Sequence, residues 1–285
     1  MELTRKQFEY LESFFQNAIP SSTVDPAQKE LESLGIIQNG KITGAGIAVL
    51  EQYRVKRAVF IAAGFGKRLA PITINTPKPL VRVHGVRIID RLIDACLKAD
   101  IQEIYIVRGY LGEQFDQLLY KYPMIHFMDN PLYNEANNIS SALIARDILS
   151  GAYVFEADLL LSNPQIIKKY QYTSNFLAIK KDQTDDWCFR VKDNRIVEEK
   201  RSGSGDDIWQ MVGISYWTDK DGLNLSKDIP SIYHAAGGKD RYWEQVPLVF
   251  CKENYSVEIR ECQEKDIVEI DTFDELKAID KSYVV

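Results

Sequence analysis

Apolar residues keep two rhythms along the middle of this chain. Residues 58–63 are apolar without a break, as a strand buried on both faces should be. Ile88, Ile89, Leu92, Ile93 and Leu97 recur at helical spacing, predicting a helix over 88–97. The alternation continues with a strand over 104–107, a helix over 111–120, a short strand over 125–128 and a helix over 138–149. A strand over 153–155 then ends in Glu156-Ala157-Asp158. Strand and helix in turn predict an α/β, Rossmann-like domain with a mainly parallel, mixed sheet and helices on both faces. Ligands of such sheets sit beyond the carboxyl ends of the strands, where residue 64 and Asp158 both fall. After Asp158 the pattern loosens, with strands expected near 176–179, 189–191 and 213–217. Residues 202–207, rich in Ser, Gly and Asp, read as a mobile loop. Thr272-Phe273-Asp274-Glu275 is a capping box ahead of a terminal helix.

Residues 1–55 follow another plan, which sets 56–285 apart as the larger domain. A helix over 4–16, a break at Pro20-Ser21-Ser22, a helix over 25–34, a hairpin over 36–43 and a helix over 46–53 are expected. Asn39-Gly40 is a two-residue hairpin turn. Helix, helix, hairpin, helix resembles a winged-helix module. Charge decides between partners. Residues 1–57 hold seven basic and seven acidic side chains, and the candidate recognition helix sets Asp25, Glu30 and Glu32 against Lys29. A nucleic-acid docking face should be basic, so a protein-contact or regulatory role is expected instead.

Bulk composition narrows the class further. With 285 residues, 45% hydrophobic and 27% charged, the chain has the make-up of a soluble globular protein. Its net charge of −6 does not suggest a nucleic-acid partner. No apolar run approaches membrane-spanning length, and 1–16 lacks a signal-peptide core. Cys96, Cys188, Cys251 and Cys262 show no Cys-x-x-Cys pairing, so they read as reduced, mostly core residues of a cytoplasmic protein rather than zinc ligands.

The chemistry concentrates just after the first buried strand. Ile61-Ala62-Ala63-Gly64-Phe65-Gly66-Lys67-Arg68-Leu69-Ala70-Pro71 is followed by Thr76-Pro77-Lys78-Pro79-Leu80. Glycines let backbone N–H groups approach phosphates, and three cations neutralise them. The Arg68 fork can grip two oxygens at once. A Walker loop is excluded, because Ile61 stands where its first glycine belongs and Arg68 where its Ser/Thr belongs. A dinucleotide fingerprint is excluded by Leu69 and by the absence of an acid after the 104–107 strand.

Ala-Ala-Gly-x-Gly-x-Arg-Leu-x-Pro with a later Pro-Lys resembles the signature of nucleotidyltransferases that join a nucleoside triphosphate to a phosphorylated small molecule. The resemblance covers about 57–280 and is greatest to the bacterial CTP:phosphocholine cytidylyltransferases within the sugar-phosphate nucleotidyltransferase family. It implies transfer of CMP from CTP to phosphocholine, giving CDP-choline and pyrophosphate, with Mg²⁺. Lys78, set between prolines, is expected at the acceptor phosphate and α-phosphate, and Arg68 and Lys67 at the β- and γ-phosphates. Ala62, Ala63, Gly64 and Gly66, with Gly109-Tyr110 and Asn137-Asn138, are expected around the nucleotide. Asp158 ends a buried strand, where a carboxylate is costly without a role, and is expected to hold the metal. Glu156 should point to the same side. Glu244, in Tyr242-Trp243-Glu244 where the phosphocholine branch has Tyr-Trp-Asp, is the expected second metal ligand. Trp187, Tyr242 and Trp243 are the expected acceptor site, since aromatic faces hold quaternary ammonium at about 0.5–2 kcal/mol per contact. The same chemistry on phosphoethanolamine, another amino-alcohol phosphate or a sugar 1-phosphate stays open, as does a nucleotide-sensing regulator.

Overall fold

The computed structural model describes residues 1–15 and 26–283. The expected break at Pro20-Ser21-Ser22, the end of the first helix at Gln16 and the start of the second at Asp25 lie outside them. The chain divides into two compact units. Met1–Val55 joins Lys168–Tyr172, and Lys56–Ile167 joins the residues from Thr173 onward.

In the smaller unit α1 (Arg5–Ser13) starts at a capping box of Thr4 and Gln7. α2 (Pro26–Ser33) follows. β1 (Ile37–Gln38) and β2 (Lys41–Ile42) then form a hairpin. Asn39 and Gly40 turn it with φ of 51° and 67°, the pair of positive values that a type I′ turn requires. α3 (Gly44–Leu50) begins two residues before the expected 46, because the Thr43 side chain accepts from the Gly46 N–H and fixes the start there. Leu11, Leu31, Leu50 and Tyr170 close this unit's core.

The larger unit carries β3 (Arg57–Ala62), the hairpin β4 (Arg82–Val83) and β5 (Val86–Arg87), α4 (Ile88–Lys98), β6 (Glu103–Arg108) and β7 (Ile125–Asp129). Then come α5 (Ile139–Ala145), β8 (Ala152–Glu156), β9 (Leu159–Leu161) and β10 (Asn175–Lys180). β11 (Gln183–Thr184), β12 (Cys188–Lys192), β13 (Arg195–Lys200), β14 (Gly203–Ser204) and β15 (Ile208–Trp217) follow. α6 (Asp219–His234), β16 (Glu258–Glu261), β17 (Ile267–Glu269) and α7 (Phe273–Ile279) complete it. Nine strands make one sheet, ordered β10-β16-β13-β12-β15-β8-β3-β6-β7. β8, β3, β6 and β7 are parallel, with Phe60 between Phe155 and Ile106. β15 runs antiparallel to β8, and the half of the sheet beyond it is mixed. α5 packs on β3, β6 and β7.

Two expectations change, and one helix had none. The 111–120 helix forms as 3₁₀ turns over Gly112–Tyr120, entered through Leu111 in the left-handed region at φ 47°. The 202–207 segment is held rather than loose: β14 pairs with β11, Gln183 opposite Ser204. α6 was hidden by its own composition, which includes Gly222 and Pro230. Gly222 is required, because a Cβ there would lie 2.4 Å from Ser150 Cα. Cys96, Cys188, Cys251 and Cys262 are all free thiols, and only Cys251 among them is not fully buried. No helix of the described residues is long and apolar enough to cross a membrane.

Candidate active site

The turn after β3 is pinned to the lysine that follows it. Gly66 sits at φ 60°, and a Cβ there would come within 3.0 Å of the Lys78 Cβ. The Thr73 hydroxyl donates to the Gly66 carbonyl at 2.9 Å. The Lys78 ammonium donates to Asp158 Oδ2 at 2.8 Å and to Asp271 Oδ1 at 3.0 Å. Arg68 donates to the same Asp271 oxygen at 2.8 Å. Burial alone would lower the Lys78 ammonium. The charges and hydrogen bonds of Asp158 and Asp271 outweigh it and hold the pKa above its ordinary value. Burial likewise opposes Asp271, but Lys78 prevails and pulls its carboxyl below the usual range. Lys67 is exposed, with its ammonium 5.0 Å from the centre of the Phe65 ring.

Three acids gather opposite these cations. Glu156, Asp158 and Glu269 each offer a carboxylate oxygen, all within 4.8 Å of one another. β17 brings Glu269 there by pairing with β9, Glu269 opposite Leu159. Asp158 Oδ1 is buried with no hydrogen-bond partner. An orphaned buried oxygen beside two more carboxylates suits a hard divalent cation. Loss of hydration, then the charges of Asp158 and Asp271, push Glu269 up to about 8. Burial, then Glu244, Asp158 and Glu269, raise Glu156 well above the carboxylate range.

Glu244 is not one of this trio but touches it through a side-chain hydrogen bond with Glu156, while Glu269, not singled out from the sequence, stands beside Asp158. Both Glu244 oxygens accept from the Asn138 side-chain amide at 3.3 Å, and the Asn138 oxygen accepts from the Trp243 N–H at 2.9 Å. Asn137 donates its own N–H to the Lys239 carbonyl at 2.8 Å. The asparagine pair therefore tethers the 239–244 segment instead of capping α5 through a side chain, and Asn138 makes no cap bond. Burial raises Glu244 against the Asn138 hydrogen bond. Burial and the charge of Glu244 push Glu199 up to about 7.

A cavity of about 740 Å³ joins these groups, and Lys78, Asp158 and Glu244 all line it. So do Ala62, Gly64, Gly66, Lys67, Arg68, Asn137, Asn138, Trp187 and Tyr242 from the sequence reading. Four expected residues do not. Ala63 is 3% exposed and uses its carbonyl to accept from the Tyr110 N–H at 3.1 Å. Tyr110 turns its hydroxyl to the Ile74 carbonyl at 2.9 Å and its ring against Phe65. Gly109 is needed for contact, since a Cβ there would meet the Tyr133 side chain at 2.7 Å. These two buttress the glycine turn from behind. Trp243 is a core residue at 2% exposure, with ring centroids 5.9 Å from Trp217 and 6.4 Å from Phe176. Its neighbours in sequence face the cavity, and the chain turns its ring the other way.

The sequence reading missed Glu269, Asp271, Glu199 and Arg201, which also line the cavity. For the first two a signal existed. Glu269-Ile270-Asp271 places two acids on one side of a strand end whose intervening Ile270 is fully buried, just before the α7 cap.

Comparison with known proteins gives the family. Residues 57–196 match the family model described as Nucleotidyl transferase. A 2-aminoethylphosphonate cytidylyltransferase of Lancefieldella rimae is 36% identical over 231 residues, covering 80% of this chain and 93% of that protein. A choline-phosphate cytidylyltransferase of Haemophilus influenzae is 31% identical over 221 residues, 76% of this chain and 93% of its own. Among solved structures, the CTP:phosphocholine cytidylyltransferase of Streptococcus pneumoniae superposes with a TM-score of 0.72 at 28% identity, over 80% of this chain and 99% of that one. With this cation-and-acid cavity at the head of a mixed α/β sheet, the chain belongs to the nucleotidyl transferase family, in the company of cytidylyltransferases.

Proposed function

We propose that this protein transfers CMP from CTP to a small phosphorylated or phosphonylated cation, releasing pyrophosphate. Phosphocholine is the acceptor that the motif resemblance implies, and 2-aminoethylphosphonate is the substrate named for one relative. The observation that carries the reading is Lys78, held between Asp158 and Asp271 at the mouth of the glycine turn.

An oxygen of the acceptor phosphate or phosphonate attacks the α-phosphorus of CTP in line. A new P–O bond forms as the bond to the β-phosphate bridging oxygen breaks, and pyrophosphate leaves. The protein supplies position and charge rather than a covalent intermediate. Lys78 bridges the α-phosphate and the acceptor, while Arg68 and Lys67 take the β- and γ-phosphates. Gly64 and Gly66 let the backbone close on the triphosphate. Asp158 and Glu269, with Glu156 beside them, would hold Mg²⁺, which when bound neutralises triphosphate charge. Trp187 and Tyr242 border the acceptor's cationic end. The free cysteines keep a cytoplasmic setting within the proposal. Residues 1–55, with five basic against seven acidic side chains, stand as a winged-helix-like protein-contact or regulatory module, for which a gel shift with genomic fragments stays negative.

The test is pyrophosphate release by the purified chain with CTP, Mg²⁺ and a panel of acceptors. Release with phosphocholine or an aminoalkyl phosphonate is expected. Release with a sugar 1-phosphate alone removes the cationic acceptor.

A further inference from the structure

A trimethylammonium group has no N–H to donate and depends on aromatic faces. This cavity has few to give. Trp243 is committed to the core. The Arg201 guanidinium lies 5.1 Å from the centre of the Trp187 ring, so a cation already covers one face. Tyr242 meets the same ring at 5.3 Å and 64°. What this end does offer is carboxylate. Glu199 and Glu244 both line the cavity, and the charge of Glu244 reaches Glu199. Glu244 is 3% exposed, with the Asn138 amide at 3.3 Å and a hydrogen bond with the Glu156 carboxyl. The buried indole of Trp243 borders the same carboxylate and favours its ionised form. Two carboxylates on a cavity wall suit a ligand rich in donors.

We infer that the cationic end of the acceptor is a primary ammonium taken by Glu199 and Glu244, and that this pair discriminates against a quaternary one. The inference rests on the CMP-transfer reading above. Three N–H donors serve two carboxylates. A trimethylated head would strip water from the same oxygens and return no hydrogen bond, the situation in which a polar site rejects an analogue most sharply. Arg201, parked on Trp187, keeps the aromatic face from serving as the alternative platform.

The full-length protein with CTP and Mg²⁺ tests this on phosphoethanolamine, its N-methyl and N,N-dimethyl forms, and phosphocholine, read as pyrophosphate release. 2-Aminoethylphosphonate adds a primary amine on a P–C bond. The kcat/KM is expected to fall at least about tenfold from the primary to the trimethylated acceptor. Glu199→Gln should raise KM for phosphoethanolamine about tenfold, leave KM for CTP unchanged and flatten the methylation series. Phosphocholine used as well as phosphoethanolamine overturns the inference and leaves CMP transfer standing. An equal loss across the series in Glu199→Gln overturns the residue assignment. Should that variant not fold, the series on the unaltered protein still decides. No turnover of any member removes the parent reading as well.

Discussion

The two ends of the cavity solve opposite problems with different parts of the chain. At the phosphate end Arg68 and Lys78 are drawn to one carboxylate, Asp271. At the acceptor end Glu199 and Glu244 crowd together, and burial and mutual repulsion push the Glu199 carboxyl up to about 7. One end thus holds cations paired with Asp158 and Asp271, and the other the acids Glu199 and Glu244. A ligand with an anionic head and a cationic tail would relieve both. The comparison teaches that polarity along the cavity, rather than any single side chain, fits the acceptor class.

The hardest blow to that picture falls on Lys78. Lys78→Ala should lower kcat about 10³-fold, the loss expected when a preorganised charge at the reacting phosphate is removed. Pyrophosphate release under saturating CTP measures it. A loss below about tenfold would mean that the two Lys78 ion pairs are structural and that the phosphate end lies elsewhere.

Asp271 tests the same end more gently. It accepts from both Lys78 and Arg68, and hydrogen bonding with Glu269 links it to the acid trio. Asp271→Asn should raise the Mg²⁺ concentration for half-maximal activity about 30-fold, within the range seen when groups that orient metal ligands are lost. Titrating activity with Mg²⁺ reads this directly. An unchanged midpoint would confine Asp271 to holding the cations.

The acceptor end makes a prediction in pH. Glu199 is pushed up to about 7, so in the free protein it is largely neutral at pH 6 and largely ionised at pH 8. Only the ionised form attracts an ammonium, so kcat/KM for a primary-amine acceptor should rise about tenfold across that interval. Glu199→Gln should remove the rise while leaving the response to CTP. A profile unaltered in the variant would assign the titration to another group.

How much of this could be read beforehand differs between the ends. The glycine turn, Arg68 and Lys78 lie within 15 residues and form a local pattern, so the phosphate end was legible. Asp158 announced itself as a carboxylate closing a buried strand. Glu269 and Asp271 come from more than 100 residues further on and reach the site only because β17 pairs with β9. Glu199 sits in a strand whose register, Phe189 opposite Glu199, no local pattern sets. The parallel strands were found because their apolar runs are continuous. The order and direction of the mixed half depend on pairings between distant, short segments.

The tryptophans give the smallest expected effect and the clearest lesson about adjacency. Tyr242, Trp243 and Glu244 are consecutive, yet the tether from Asn138 to the Trp243 N–H and the Glu244 carboxylate rotates the middle ring into the core. Trp187 stays at the cavity wall beneath Arg201. Trp187→Ala should therefore change acceptor KM about threefold to fivefold, the size of one partly covered cation–π or packing contact, with stability nearly unchanged. Trp243→Phe should leave acceptor KM alone and lower the melting temperature, because it removes buried volume beside Trp217 and Phe176. Parallel thermal melts and acceptor titrations of the two variants separate the roles. If the effects were exchanged, with KM moving in Trp243→Phe and stability in Trp187→Ala, the acceptor end would be built on the opposite face of that segment.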